Sequence, residues 1–350
     1  MADTDLNSEA DPIAELLISY DELNSPHIDV FDEVPSALEF LRYVARNRPF
    51  VVRGGASDWK ATRTWNVSTL KRLLKDEKVN VALTPKGHVS HLLKNADSPT
   101  LNDQGELVFV KPWEEEQSFD TFLDFVTRQE LSSHDLSDAP REDEEIRYAQ
   151  TQNDNLRNEY LTLFADVEKE IPWARIALQH NPEAINLWIG NSRSVTAMHK
   201  DNYENIYCQI IGQKHFVLLP PLAFPCINEQ ELQPAIYEKE GGGLRMKIEE
   251  GAPKVPFAIW DPDRPTENTT EYSHLANPMR VTLDSGDMLY LPALWYHKVS
   301  QSCSEEGLCC AVNYWHDMDF AGSFYPLCDL VRGVTLAKSQ QSGSNGLQPK

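Results

Sequence analysis

The chain has 350 residues, of which 41% are hydrophobic and 25% are charged, a composition typical of a globular protein with one or two domains. It carries 54 acidic residues against 32 Lys and Arg residues, so its formal net charge at pH 7 is −22. This excess of acid argues against unaided binding to nucleic acid, because cations must neutralise the phosphates, and it suits a basic protein partner.

The beginning of the chain is acidic, and residues 1–15 contain no Lys or Arg. A secretory signal starts with basic residues and continues into an apolar run, so we expect none here. No segment approaches the roughly 18 apolar residues of a membrane span. The six cysteines form no C-x-x-C pair. We therefore expect a reduced protein in the cytoplasm, with the nucleus as an alternative location.

Helical patterns open the first half of the chain. One amphipathic helix is predicted around residues 13–17. Ser36 and Glu39 have the spacing of a capping box, which predicts that a helix begins there. Leu38, Leu41 and Ala45 follow at helical spacing, so we expect these three side chains to face the core.

Two strands and a second helix come next. Residues 48–55 end in two glycines and residues 79–83 stop before Thr84-Pro85, and both patterns indicate strands. The helix has one apolar face, formed by Phe119, Phe122, Leu123 and Val126. Residues 135–145 are acidic and poor in apolar groups, so we interpret them as an exposed, solvated loop.

Short β-type segments broken by turn residues dominate the second half. They cover residues 205–211, 214–219, 280–283, 288–291, 296–300 and 309–315. The first two are joined by Gly212-Gln213, a two-residue loop that predicts a hairpin. The next two flank residues 284–287 and predict another hairpin. Many short strands with regular turns are typical of a β-sandwich or a small barrel.

His199 and Asp201 lie two positions apart on a predicted strand, where alternate residues point to the same face. Both side chains can therefore reach one point inside a barrel, and His297 from a later strand would supply a third ligand. Two imidazoles and one carboxylate form the facial triad of non-haem Fe(II) oxygenases, which leaves positions open for a cosubstrate and O₂. The alternative is a chance H-x-D pattern, with His199 capping a strand and Asp201 in a turn.

Four further polar residues accompany this pattern. Lys214 begins a strand in apolar company, where an ammonium is costly unless it pairs with an anion such as the distal carboxylate of 2-oxoglutarate. The alternative is a lysine whose amine extends to the rim of the barrel. Thr196 could donate its hydroxyl to the same carboxylate. Asn205 and Asn313 lie on strands that would flank the metal, and either could bond the oxoacid or orient a ligand.

Together these motifs resemble the JmjC (cupin-like) 2-oxoglutarate oxygenases. The resemblance rests on residues 47–54, 186–190, 195–207, 212–221, 286–297 and 312–315. It implies a mainly β fold with helices, built on a double-stranded β-helix (jelly-roll) core with an N-terminal α/β extension. The implied segments are an acidic N-terminal segment (1–26), a helical and strand region packed on the core (27–170), the JmjC domain (171–330) and a flexible tail (331–350).

The resemblance also implies the site and the reaction. It makes His199, Asp201 and His297 the ligands of Fe(II), with 2-oxoglutarate and O₂ as cosubstrates. The residues implied to contact 2-oxoglutarate are Tyr148, Thr196, Asn205, Lys214 and Asn313. The implied activity is hydroxylation of a lysine side chain at C3. The implied substrates are developmentally regulated GTP-binding proteins, a family of translation-factor-like GTPases, and a homodimer is an open option.

Three other functions are compatible with part of the sequence. The same metal chemistry on a methyl group would make the protein an N-methyl-lysine (histone) demethylase, although the sequence has no Cys/His-rich zinc pattern of an added reader module. A non-catalytic cupin-like binding module is opposed by the retention of three candidate ligands and Lys214. A zinc hydrolase would need a base beside the metal-bound water and would leave Lys214 unexplained.

Overall fold

The computed structural model describes residues 11–85, 98–132 and 145–345, so the acidic loop predicted at 135–145 lies outside them except for its last residue. The helices in the described segments are α1 (Pro12–Leu23), α2 (Ala37–Arg46), α3 (Lys60–Thr64), α4 (Val67–Leu73), α5 (Phe119–Leu131), α6 (Pro172–Leu178) and α7 (Phe324–Asn345). None of these helices has the length and apolar character that a membrane crossing requires.

The strands fall into two groups along the described chain. Those of the first group are β1 (Asp29–Phe31), β2 (Phe50–Val52), β3 (Lys78–Thr84), β4 (Ser98–Leu101), β5 (Leu107–Lys111), β6 (Trp113–Ser118) and β7 (Ile146–Tyr148). Those of the second are β8 (Ala184–Gly190), β9 (Thr196–His199), β10 (Tyr203–Ile211), β11 (Gln213–Leu219), β12 (Glu229–Glu240), β13 (Gly243–Ile248), β14 (Val255–Ala258), β15 (Met279–Leu283), β16 (Met288–Leu291), β17 (Tyr296–Ser302) and β18 (Cys309–Asp317).

Eight strands of the second group form a jelly roll of two facing sheets. One sheet has the order β1-β2-β16-β10-β18-β8, and the other has the order β15-β11-β17-β9. Along the chain the jelly-roll strands alternate between the two sheets, except that β11 and β15 are paired neighbours in the same sheet. Apolar side chains from both sheets fill the space between them. This is the topology of a double-stranded β-helix, so the predicted fold class is confirmed.

Both predicted hairpins are wrong, although their strands and turns are present. β10 ends at Ile211 and β11 begins at Gln213, yet β10 pairs with β16 and β18, whereas β11 pairs with β15 and β17. β15 and β16 likewise belong to different sheets. Each tight turn is a corner at which the chain crosses between sheets, because the jelly roll pairs each strand with strands distant in sequence.

The N-terminal elements extend and cover this core. β2 adds to the first sheet beside β16, and β1 pairs with β2. The predicted capping box is present at the start of α2, where the Ser36 hydroxyl accepts from the Glu39 N–H and the Glu39 carboxylate accepts from the Ser36 N–H. The four apolar residues predicted for the second helix are all buried in α5. The strands predicted at 48–55 and 79–83 correspond to β2 and β3.

The predicted core face of α2 is wrong. Leu38, Leu41 and Ala45 are all exposed, and Phe40 is instead completely buried. The Phe40 ring contacts the rings of Phe50, Trp173 and Tyr290, with centroid distances of 6.2, 4.7 and 4.8 Å. An aromatic ring removes a large apolar area from water, so the stripe that contains Phe40 takes the core side.

Two smaller sheets pack beside the jelly roll. β3 lies between β6 and β7, and a five-stranded sheet joins β4 and β5 to β12, β13 and β14. β12 to β14 therefore leave the jelly roll between β11 and β15 and pair with an N-terminal strand, β5. The boundaries proposed for the four segments of the chain stay a prediction.

α7 contradicts the predicted flexible tail at 331–350 in its described part. Val331 and Thr335, one turn apart, are buried. Arg332 donates to the Glu229 carboxylate, and the Lys338 ammonium donates to Asp11 Oδ2 at 2.8 Å, which links α7 to the residue that caps α1. The Ser, Gln and Gly bias begins only at residue 339, so composition does not reveal the docking of the preceding turns.

Gly212 offers a test of the corner between β10 and β11. Its φ is +72°, and a Cβ would lie 2.5 Å from the carbonyl oxygen of Ser302. Gly105 has a similar φ of +80° with nothing within 4 Å of a Cβ, so it provides the matched control. Gly105→Ala should lower the free energy of unfolding by about 1 kcal/mol through backbone strain alone. Gly212→Ala should lower it by roughly 3 kcal/mol, because steric overlap adds to the strain.

Denaturant unfolding of both variants would measure the difference. Equal losses for the two substitutions would show that the backbone crossing at Gly212 is not sterically restricted.

Candidate active site

His199, Asp201 and His297 converge at one end of the jelly roll. Asp201 Oδ2 lies 3.9 Å from His199 Nε2 and 3.6 Å from His297 Nε2. The three side chains place one potential ligand atom each within 4.8 Å of one another, and they are the one group of this kind in the described residues. Two imidazoles and one carboxylate on one side of an open space are the donor set of the facial triad.

Backbone carbonyls fix the tautomers of both histidines. His199 Nδ1 lies 2.8 Å from the carbonyl oxygen of Ala197, and His297 Nδ1 lies 3.0 Å from that of Trp295. Because a carbonyl oxygen only accepts, each Nδ1 carries a proton, so in the neutral form of either ring the free lone pair belongs to Nε2, on the side of Asp201. Burial lowers the pKa of His297 to about 4, with a further contribution from His199, so this imidazole is neutral at pH 7.

An irregularity in β9 brings Thr196 to the same face as His199. In the ladder between β9 and β17, His199 is opposite His297, and Thr196 is opposite Val299. Three steps along β9 therefore correspond to two steps along β17, which is the signature of a β-bulge. Without the extra residue, Thr196 would point away from the candidate ligands, since side chains alternate along a regular strand.

A cavity of about 150 Å³ extends from the triad into the jelly roll. Its lining includes all five residues predicted to contact the cosubstrate, namely Tyr148, Thr196, Asn205, Lys214 and Asn313. Lys214 is only 3% exposed, and its ammonium donates to the Tyr148 hydroxyl at 3.0 Å. Among the described residues, no carboxylate lies within 4 Å of this ammonium, so the cavity contains a cation without a protein counter-ion.

Neutral phenols surround the ammonium. Burial raises the pKa of Tyr148, and it also raises the pKa of Tyr207, whose hydroxyl is a further neighbour of Lys214. Both hydroxyls therefore stay protonated at pH 7 and solvate the cation without cancelling its charge. A bound anion would complete the electrostatic balance of this cavity.

Gly190 allows Tyr148 to approach. A bridge between Ala149 and Ile189 ties the segment after β7 to β8, and a Cβ at Gly190 would lie only 2.6 Å from the Tyr148 ring. The glycine that ends β8 is therefore needed for the close contact between this strand and the tyrosine.

Two amides form one chain of hydrogen bonds in the cavity wall. Trp188 Nε1 donates to Asn313 Oδ1 at 2.9 Å, and Asn313 Nδ2 donates to Asn205 Oδ1 at 3.1 Å. In this arrangement Asn205 Nδ2 has no hydrogen-bond acceptor among the described residues, so this donor is available to a ligand oxygen. Asn313 thus orients Asn205 through a direct contact.

Sequence reasoning missed several residues that line the cavity. Tyr207 lies two positions after Asn205 on β10, so strand alternation could have identified it. Trp188 also lines the cavity, and it belongs to segment 186–190, one of those on which the family resemblance rests, so its position in a family motif was the available signal. Phe257 had no local signal, because it comes from β14 in the neighbouring sheet, where it contacts Phe109 with a centroid distance of 5.2 Å.

Lys214 and Lys298 make a matched pair of buried lysines. Lys298 is 4% exposed, and its ammonium is 2.8 Å from Asp261 and 2.6 Å from Asp263. We expect Lys214→Met to raise the free energy of unfolding of the unliganded protein by about 1 kcal/mol or more, because a buried charge without a counter-ion is removed. We expect Lys298→Met to lower it by about 3 kcal/mol, because Asp261 loses its ion-pair partner and Asp263 keeps only Arg280.

Chemical denaturation in buffer without small carboxylic acids would check both values. A large loss of stability in Lys214→Met would mean that the phenols alone compensate its charge.

Comparisons with known proteins agree with this geometry. Residues 35–322 match the model of the cupin-like domain family. The human bifunctional peptidase and (3S)-lysyl hydroxylase JMJD7 is 34% identical over 334 residues, which cover 94% of this chain and 97% of the human protein. The Arabidopsis thaliana lysine-specific demethylase JMJ32 is also 34% identical, over 84% of this chain and 82% of its own.

A third relative carries a name that describes only its domain. The JmjC domain-containing protein E of Dictyostelium discoideum is 32% identical over 89% of this chain and 90% of its own. Members of the JmjC family are dioxygenases that normally use Fe(II) and 2-oxoglutarate. The match over most of the chain confirms the resemblance found in the motifs, and this protein belongs to the cupin-like JmjC family.

Proposed function

We propose that this protein is an Fe(II)- and 2-oxoglutarate-dependent protein oxygenase that hydroxylates a lysine side chain at C3. The observation that carries the proposal is the presence, in one cavity, of the His-Asp-His triad and the buried Lys214 without a counter-ion. The first feature suits a metal that must keep open positions, and the second suits a dicarboxylic cosubstrate. Neither feature is explained by a binding module that lacks catalysis.

The residues of this chain fit the two groups that the proposal requires. His199, Asp201 and His297 would hold Fe(II), with each imidazole kept in the required tautomer by a backbone carbonyl. The Lys214 ammonium and the hydroxyls of Tyr148 and Thr196 would bind the distal carboxylate of 2-oxoglutarate. Asn205, oriented by Asn313, would donate to an oxygen of the oxoacid.

When bound, iron with 2-oxoglutarate and O₂ supplies an oxidant, so that one oxygen atom enters the substrate C–H bond and the other enters succinate, with release of CO₂. The protein contributes position and exclusion of water. Apolar side chains in the cavity wall keep solvent from the reacting groups; they are Phe216, Phe257, Leu291 and Val299.

The substrate part of the proposal has two supports. The net charge of −22 favours association with a basic protein. The human relative is named as a (3S)-lysyl hydroxylase. On these grounds we propose a basic, lysine-bearing protein as the substrate, and the family resemblance of the motifs implies developmentally regulated GTP-binding proteins as the class to test.

Demethylation is the second candidate, because the Arabidopsis relative at the same identity is named as a lysine-specific demethylase. It uses the same metal and cosubstrate but oxidises an N-methyl group, which then leaves as formaldehyde. The name of the human relative adds peptidase activity, for which a base beside a metal-bound water would be needed.

Product mass distinguishes these activities. The protein would be incubated with Fe(II), 2-oxoglutarate, O₂ and a purified GTPase of this class, offered both unmodified and with methylated lysines. We expect the unmodified lysine to gain one oxygen atom. Loss of a methylene unit from the methylated form would identify a demethylase, and shortened fragments would identify a peptidase.

Substitution of one candidate ligand supplies the internal control. Asp201→Ala removes the carboxylate of the triad and should lower turnover by more than about 100-fold. Asp103→Ala makes the same change in an exposed turn that does not line the cavity and should leave turnover unchanged. Equal activity of wild type and Asp201→Ala would contradict the assignment of the site.

Cosubstrate binding can be followed without turnover. Anaerobic addition of Fe(II) and 2-oxoglutarate should give the visible absorption band of an iron-bound oxoacid. Lys214→Met should require about 10-fold or more 2-oxoglutarate for half of this band, because the charged contact to the distal carboxylate is lost. Absence of the band in the wild-type protein would favour a non-catalytic cupin-like module.

A further inference from the structure

The turn formed by residues 292–295, between β16 and β17, contacts two of the three candidate metal ligands. The Leu294 N–H donates to the main-chain carbonyl of Asp201 at 2.8 Å. The Trp295 carbonyl accepts from His297 Nδ1 at 3.0 Å. His199 is in turn the strand partner of His297. The position of this one turn therefore affects the backbone of Asp201 and the ring of His297 directly, and His199 through the ladder.

The backbone of this turn is strained. Leu294 has a φ of +68°, in the left-handed region that a leucine seldom adopts. Such a conformation persists only where surrounding contacts hold it, and strain of this kind is typical of functional sites. Leu294 is buried, and it packs with Ala293 and Met318. Directional contacts must therefore fix the turn in addition to apolar packing.

Asn47 supplies these contacts from the other end of the chain. Its Nδ2 donates to the Ala293 carbonyl at 3.0 Å, and Trp295 Nε1 donates to its Oδ1 at 2.6 Å and to its backbone oxygen at 2.9 Å. On the opposite side, Glu204 accepts from the Ala293 N–H at 3.2 Å. Asn47 is therefore hydrogen-bonded to both residues that flank Leu294, Ala293 and Trp295.

The backbone of Asn47 explains why an asparagine stands there. It ends α2 with a φ of +48°, and asparagine is one of the few residues with a side chain that adopts this conformation readily. The residue is buried, with both functional atoms of its amide engaged. Its side chain does not line the cavity and touches none of the three candidate ligands.

We propose that Asn47 is a positioning residue for the metal centre, acting through the turn 292–295 on Asp201 and His297. This inference rests on the proposed function, since it assumes that the triad binds a metal. The inference also assigns a role to the N-terminal region: α2 must pack correctly on the core before the triad reaches its final geometry.

Metal affinity tests the proposal without catalysis. Co(II) alone would be titrated as a spectroscopic substitute for Fe(II), with its visible absorption reporting the ligand geometry. Asn47→Gly keeps the left-handed backbone and the backbone oxygen that accepts from Trp295, but it removes both side-chain hydrogen bonds to the turn. We expect it to weaken Co(II) binding by about 10-fold and to change the shape of the spectrum, as substitutions behind metal ligands do.

Asn228→Gly provides the matched control. Asn228 also has a left-handed backbone, with a φ of +49°, and its Nδ2 also donates to a main-chain carbonyl, that of Asn268. This variant should bind Co(II) within about twofold of wild type, because the two side-chain bonds that it loses, to Asn268 and from Gln230, lie away from the turn. A purely structural role of Asn47 would leave the spectrum of the bound metal unchanged.

A second variant covers the case in which Asn47→Gly does not fold. Asn47→Asp keeps an oxygen that accepts from Trp295 but replaces the donor to Ala293 with a carboxylate oxygen that repels the Ala293 carbonyl, so it should weaken Co(II) binding in the same direction. Wild-type affinity and spectrum in a folded Asn47 variant would overturn the inference while leaving the proposed function intact. If wild type and Asp201→Ala bound Co(II) equally poorly, the proposed function and this inference would both be wrong.

Discussion

The direct pairing of β9 with β17 is the contact on which the rest of the candidate site depends. It sets His199 opposite His297, with ring centroids 4.1 Å apart, and the bulge in the same ladder turns Thr196 toward the cavity. Asp201 follows two residues later, where its carbonyl is held by the turn before β17. The chemistry of the site is thus a property of one strand pair at the edge of a sheet, and neighbouring elements refine it.

The interior of the jelly roll combines two requirements that oppose each other. Apolar residues from both sheets hold the sheets together, and one cation is placed among them without a protein counter-ion. A buried charge of this kind lowers the stability of the empty protein and raises the affinity for an anion that enters. Lys298, equally buried but paired with Asp261 and Asp263, shows what a purely structural lysine looks like in the same fold.

The sequence was informative where a short motif was sufficient. The H-x-D pattern and the family motifs indicated the three candidate ligands and five of the polar residues that line the cavity. The strand predicted to hold both ligands ends at His199, however, and Asp201 lies in the loop that follows it. The pairing of strands could not be predicted from the local sequence. Gly212-Gln213 specifies a tight turn, but it does not specify which sheet each flanking strand joins. The face of α2 was mistaken because two apolar stripes compete on that helix, and only the surrounding aromatic rings select the stripe with Phe40. Phe257 comes from a strand of another sheet and Asn47 acts through a turn, so neither carries a local pattern.

The alternation of strands between sheets also has a kinetic consequence. Neighbours in each sheet are far apart in the chain: β8 pairs with β18, and Asn47 bonds Ala293 across 246 positions. Contacts of such high sequence separation must overcome a large loop-closure entropy, so folds of this type close slowly. During synthesis His199 and Asp201 emerge well before β17, and for that interval β9 has no partner for its ladder with His297. The three candidate ligands meet only when the barrel closes, so a metal ion held by all three would enter a nearly finished protein.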